Sequence, residues 1–132
     1  MVRSVSICLI SLILVGVWAS LAQETGGESE AVSAFEEGRW DDAIGAYQGL
    51  LANDRLNGVY WLRIAQAQRE LGRNANALET LERARVAQAP EAMLELERSR
   101  NLVVLNQIEP AYRALQAADD ALLRSLSLLD EA

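Results

Sequence analysis

The sequence predicts an all-α fold, a stack of antiparallel helix pairs, and two observations carry that prediction. The first is self-similarity at an offset of 34 residues, which sets Gly38 on Gly72, Ala43 on Ala77 and Ala111, and Ala31 on Ala65 and Ser99. The same offset runs through Tyr47, Leu81 and Leu115, through Ile44, Leu78 and Tyr112, and through Leu50, Ala84 and Ala118. A fixed period of this length marks repeated supersecondary units that stack on one another. The second is composition: 51% of the 132 residues are hydrophobic but only 5% are aromatic. The apolar mass is therefore Ala and Leu, the material of packed helices.

In chain order, residues 1–22 come first. They read MVRSVSICLISLILVGVWASLA, with one positive charge at Arg3, an apolar stretch from Val5 to Val17, and small Ser20 and Ala22 ahead of polar Gln23. This is the layout of a secretory signal peptide, with cleavage expected after Ala22 and Ala19 as a second site. Ser6, Ser11, Gly16 and Ser20 interrupt the stretch, and it is shorter than the roughly 20 apolar residues a spanning helix needs. The signal reading therefore stands ahead of an uncleaved anchor. The only cysteine, Cys8, lies inside the apolar stretch. Cleavage leaves 110 residues (132 − 22) without cysteine and with a charge of −8, because Arg3 leaves with the signal. Packing alone then holds the domain, residues 23–132.

Apolar spacing and stop signals place helices at 27–37, 40–53, 58–71, 74–88, 91–99 and 109–128. Gly38 and Gly72 fall between helical patterns, where a left-handed residue ends one helix and the next begins. Small Ala43, Ala77 and Ala111 sit early in each second helix, where bulk would hold the pair apart. Larger Tyr47, Leu81 and Leu115 follow four residues later on the same face and fill the space between neighbours. In the third unit Asn106 replaces the turn glycine and Pro110 follows. Proline fits only the first turn of a helix, so it sets a start near Glu109. The preceding helix is expected to stop near Ser99, with residues 101–107 as an irregular bridge. The last helix outruns the repeat and is expected to cap the stack.

The chemistry is restricted. All 12 basic residues are Arg, against 19 acidic ones, and there is no His. The usual general base, metal ligand and Schiff-base amine are missing. The net charge of −7 argues against binding a phosphate backbone, which needs clustered positive charge. Asp41 with Asp42 and Asp119 with Asp120 are adjacent within helices, so their carboxylates point about 100° apart and do not face one bond. Asp41 and Asp42 suit the positive end of a helix. No catalytic residue, cofactor or metal site is expected. The alternation of Arg with Glu from Arg63 to Arg100 is expected to form solvated helix faces with local ion pairs.

The stretch YWLRIAQAQRELGRNANALETLERARVAQAP, residues 60–90, resembles a tetratricopeptide repeat. Trp61 takes the leading aromatic place, Ile64 the aliphatic, Ala65 and Ala77 the small places, Leu81 the large one and Ala84 the closing small one. The first unit matches through Gly38, Trp40, Ala43 and Tyr47, and the third through Ala111, Leu115 and Ala118. The resemblance implies a right-handed superhelix of about 2.5–3 repeats, with units at about 24–57, 58–91 and 92–128. It also implies a concave groove built from the first helix of each unit. Carried over position by position, the groove residues are Val32, Phe35 and Glu36, then Val59, Leu62, Gln66 and Arg69, then Met93, Leu96 and Arg100. The family's basic clamp for a peptide's terminal carboxylate is not matched, since Leu62 and Gln66 stand where Lys or Asn would be expected. The function expected is an exported, non-enzymatic module holding a peptide or helix of another periplasmic or envelope protein. The alternative is an assembly subunit that self-associates through the leucine-rich final helix or stays in the inner membrane through an uncleaved N-terminal segment, facing the periplasm. Neither reading calls for nucleic acid.

Overall fold

The structure, a computed structural model, describes residues 26–130. The expected signal peptide at 1–22 lies outside the described residues. Among the described residues six helices follow one another: α1 (26–36), α2 (Trp40–Leu51), α3 (Gly58–Glu70), α4 (Asn74–Val86), α5 (Glu91–Val104) and α6 (Ile108–Asp130). Tight turns fold them into three hairpins, α1 with α2, α3 with α4 and α5 with α6. Longer connections pass from α2 to α3 and from α4 to α5, and α3 also touches α5.

The turns inside the hairpins share one geometry. At the first, the N–H of Gly38 donates to the carbonyl of Phe35 at 3.2 Å and the N–H of Arg39 donates back to Ala34 at 2.9 Å. At the second, Gly72 donates to Arg69 at 2.9 Å and Arg73 to Gln68 at 2.8 Å. Both glycines are left-handed, with φ of 72° and 73°, and the paired bonds satisfy helix-end carbonyls that would otherwise be orphaned.

The third turn repeats the pattern and corrects the expected bridge at 101–107. Asn106 adopts φ 58°, donates to Val103 at 3.0 Å, and is followed by Gln107 donating to Leu102 at 2.9 Å. Asparagine tolerates the left-handed region better than other non-glycine residues, so it stands in for the glycine without disturbing the repeat. Helix α5 therefore runs to Val104 instead of stopping near Ser99. Pro110 lies in the first turn of α6, as its missing N–H requires.

The core follows the 34-residue columns. Small Ala43, Ala77 and Ala111 are all buried, and they let each pair close. Tyr47 joins Ala31, Ile44, Leu51, Ile64 and Ala67 in a first cluster. Leu81 joins Leu62, Ala65, Ala77, Ala84 and Leu94 in a second. Leu102, Ala111 and Ala114 form a third. Helix α6 turns buried Ala111, Ala114, Ala118 and Ala121 inward, while Leu115, Leu122, Leu126 and Leu129 remain exposed on its outer side. No helix among the described residues is long and apolar enough to cross a membrane.

Two glycine substitutions separate close packing from backbone strain. At Gly58 an added Cβ would lie 2.6 Å from the Cα of Ala89 and 2.7 Å from the carbonyl oxygen of Ala87, so Gly58→Ala is expected to lower unfolding free energy by about 2–3 kcal/mol through overpacking. Gly72 has open space around it but φ 73°, so Gly72→Ala should cost about 1 kcal/mol through strain alone. Urea denaturation of the two variants measures the difference, and equal losses would contradict the packing argument.

Candidate binding clefts

Between α1 and α3 lies a cleft of ≈ 510 Å³ lined by Glu28, Val32, Phe35, Glu36, Tyr47, Val59, Tyr60 and Arg63. The hairpin geometry puts Phe35 at the end of α1 and Tyr60 at the start of α3, with Tyr47 of α2 beneath them. Asn57 fixes the entry to α3, its side-chain oxygen accepting from the N–H of Tyr60 at 3.3 Å. The rings are in contact: Phe35 and Tyr47 have centroids 6.5 Å apart in a T-shaped arrangement, and Tyr47 and Tyr60 lie 5.6 Å apart with their planes tilted by 40°. Such contacts lock large side chains in place beyond what burial alone gives.

The charges around this aromatic wall are mixed. The Arg63 guanidinium sits 4.9 Å above the Phe35 ring, and one of its N–H groups donates to the Gln66 side chain at 3.2 Å. Glu28 and Glu36 occupy the α1 side. Burial raises the Tyr47 phenol above its ordinary value, against the opposing pull of Arg63. Burial, with Glu28 nearby, raises that of Tyr60 too. The cleft thus presents an apolar, aromatic floor with one fixed cation and a carboxylate edge, suited to an extended segment whose side chains are apolar and whose backbone needs polar partners.

The residues expected to form one groove divide between two places. Val32, Phe35, Glu36 and Val59 line the α1–α3 cleft. Met93 and Leu96 line another, between α5 and α6, with Ala92, Leu115, Ala118 and Leu122. Gln66 and Arg69 are half-buried along α3. Leu62 is a correction: it is buried in the second core cluster with Ala84 and Leu94, because α5 packs over the face of α3 that carries it. It lines neither of these two clefts.

The charged stripe is also corrected. Glu97, buried on α5, accepts from Arg69 of α3 at 3.0 Å and from Arg100 at 2.6 Å, while Arg69 also pairs with Glu70 at 2.8 Å. Glu95, likewise buried, pairs with Arg85 of α4. Arg69–Glu97 and Arg85–Glu95 cross between hairpins, whereas Arg100–Glu97, Arg83–Glu79 and Arg85–Glu82 are local pairs of the kind expected. Arg69 and Arg100 are consequently held by the protein itself. The sequence reading missed Tyr60, Arg63 and Glu28 as cleft residues, since their repeat positions differ from those the resemblance assigns to ligands. The available signal was that three of the few aromatic residues, Phe35, Tyr47 and Tyr60, fall on successive helices.

Residues 60–86 match a family model described as tetratricopeptide repeat. A sequence comparison with curated proteins finds no match. Among solved structures, the chain is similar to the Yersinia enterocolitica type III secretion translocator chaperone SycD, with a TM-score of 0.72 at 18% identity over 81% of this chain and 85% of that one. It is similar to the same chaperone in complex with a peptide of the translocator YopD, with a TM-score of 0.69 at 18% identity over 83% and 86% of the two chains. The first TPR of Spaghetti (RPAP3) bound to HSP90 peptide SRMEEVD gives 0.68 at 19% identity over 83% and 94%. At these identities the likeness is one of fold.

The ion pairs and phenols each give a measurable consequence. Arg69→Met leaves the buried Glu97 carboxylate with Arg100 alone and is expected to cost about 2–3 kcal/mol. Glu97→Gln removes the buried charge itself and should cost only about 1 kcal/mol. Denaturant melts that reverse this order would refute the assignment. For the phenols, the folded state holds its protons more tightly than the unfolded state. Their contribution is therefore intact below pH about 10, the unfolded value, and is lost as pH rises through the higher folded values of Tyr47 and Tyr60. Stability measured from pH 8 to 11.5 should fall at the alkaline end, and fall less in a Tyr60→Phe variant.

Proposed function

From the premise that this chain is a tetratricopeptide repeat protein, with its helical stack and the repeat at residues 60–86, we propose that it is an exported, non-enzymatic interaction module that holds an apolar segment of another protein in the cleft between α1 and α3. The observation that carries this reading is the aromatic wall of the cleft, half-buried Phe35 and Tyr60 over buried Tyr47, beside exposed Val32 and Val59. Contiguous apolar surface with a polar rim is the usual mark of a protein-binding site. Two similar structures, SycD in complex with a YopD peptide and the first TPR of Spaghetti bound to an HSP90 peptide, support a protein segment as the ligand class.

Export rests on residues 1–22, whose charged start, apolar stretch and small-residue end have the form of a signal peptide. The periplasm is the location proposed, with the partner in the same compartment or the envelope around it. The cleft's single fixed cation, Arg63, lies over a ring and is not part of a basic cluster. The ligand is therefore read through apolar side chains, with the carboxylates Glu28 and Glu36 disfavouring acidic ones nearby.

The test compares wild type with a Val32→Glu, Val59→Glu double variant by affinity purification from the native envelope, with circular dichroism confirming equal helix content. Both residues are exposed, so the substitutions spare the core. A partner held by wild type should fall at least about tenfold in recovery with the variant, since placing carboxylates in an apolar contact strands unpaired charge. Equal recovery by both proteins would remove the cleft from the reading.

A further inference from the structure

We propose that the cleft between α5 and α6 is a second docking site, which seats an amphipathic helix of another protein where the next leading helix of the stack would lie, with a basic residue of that helix against Asp119. The site goes beyond the α1–α3 cleft and shares no residue with it.

The repeat defines the vacancy. Leu62 and Leu81, on the second hairpin, are 2% and 1% exposed because α5 lies over them. Their equivalents 34 residues on, Leu96 and Leu115, are 36% and 48% exposed, since among the described residues no helix follows in the same place. Between them opens a cleft of ≈ 600 Å³ whose walls are Ala92, Met93, Leu96, Leu115, Ala118 and Leu122. Helix α6 passes straight through the point where the stack would next turn. Gln88, which ends α4 with φ 57°, corresponds to Leu122, where no glycine, asparagine or proline interrupts and α6 continues to Asp130. The result is an open apolar rail along a 23-residue helix, about 34 Å long at 1.5 Å per residue.

Charge selects the occupant. Among the contacts between each trailing helix and the following leading helix, one residue pair recurs at a fixed register. In the first junction the pair is apolar, with Leu51 and Trp61 packed in one cluster. In the second, the same positions hold Arg85 and Glu95, which are ion-paired. In the third, Asp119 takes the place of Arg85 and lines the cleft, with no ion-pair partner among the described residues. A helix laid there buries that carboxylate, and a buried carboxylate needs a cation.

The packing of α5 gives the rest of the pattern. Its buried Leu94, Glu95, Ser99 and Leu102 are spaced i, i+1, i+5 and i+8, and their counterparts on α3 are Tyr60, Trp61, Ala65 and Gln68. The occupant accordingly carries a large apolar residue, then Arg or Lys, then a small residue and an apolar one at that spacing. The chain's own first helix offers Gly26, Gly27, Ala31 and Ala34 at these positions, with neither bulk nor base. A second copy stacked head to tail is therefore not the fit; the mode is helix-in-groove recognition of a different protein.

The experiment titrates the purified protein with two synthetic peptides of sequence 91–104, one unaltered and one carrying Glu95→Arg, each held helical by a lactam on its solvent face. Fluorescence anisotropy should show the Glu95→Arg peptide binding at least about tenfold more tightly, equivalent to about 1.4 kcal/mol. With Asp119→Arg protein the preference should invert, and Leu115→Glu should abolish both interactions while Phe35→Ala leaves them intact. No binding to a folded protein, or a preference that Asp119→Arg leaves unchanged, would overturn the proposal. So would a dimer in sedimentation that Leu115→Glu dissolves, since the occupant would then be a second copy.

Discussion

A helical hairpin in this protein leaves one apolar face that only the next hairpin can cover, and that dependence organises the molecule. Tyr47 and Leu81 stand on α2 and α4, where α1 and α3 of the same hairpin touch them on one side and α3 and α5 of the next hairpin complete their burial. Each junction thus stabilises the hairpin before it as much as the one after, the nearest-neighbour coupling expected of stacked repeats. Small residues at Ala43, Ala77 and Ala111 set how closely a pair closes, and large ones four residues on set how far apart neighbouring pairs stand. The same coupling explains why the outer side of α6 is apolar: its sequence keeps the repeat's large position, Leu115, without a described helix to cover it.

Charge sharpens the junction between the second and third hairpins. Leucine and alanine surfaces slide past one another with little penalty, whereas the Arg85–Glu95 and Arg69–Glu97–Arg100 contacts hold only in one register. Buried ion pairs add little net stability because desolvation offsets their attraction. Their role here is to penalise a slipped register, which would strand Glu95 or Glu97 in an apolar interface. Across the first junction the pair is an exposed one, Arg73 with Asp41 at 3.0 Å, and among the described residues none is buried, so register there rests on shape, with Tyr47, Tyr60, Ile64 and Ala67 interlocking.

Most of the fold was legible because stacking writes its periodicity directly into the chain. The columns through Ala43, Tyr47 and Gly38 set helix order, turn positions and the buried side of each second helix. Asn106 was misread because glycine preference at left-handed turns reflects sterics, and asparagine meets the same requirement less often; one residue type concealed an intact turn. Leu62 was misread because a family position names a helix face only on average, and the neighbouring α5 covers that face here. The buried glutamates were invisible for a related reason: an Arg–Glu alternation looks alike whether the partner lies four residues away on one helix or across a junction.

The two clefts differ in kind because they arise differently from the same architecture. The α1–α3 cleft lies between leading helices already held by their trailing partners, so its shape is fixed by the aromatic contacts of Phe35, Tyr47 and Tyr60 whether or not anything occupies it. A rigid wall of this sort lowers the ordering cost of binding and favours selectivity through ring-sized pockets. The α5–α6 cleft is an uncovered junction, with Leu and Met side chains in place of rings and α6 extending past α5 without a neighbour. Met and Leu adapt to varied partners more readily than aromatic residues do, and an occupant there would complete packing that the repeat itself specifies. On the two proposed readings, one end of the molecule discriminates by fixed shape, and the other by the pattern and charge of a helix added to the stack.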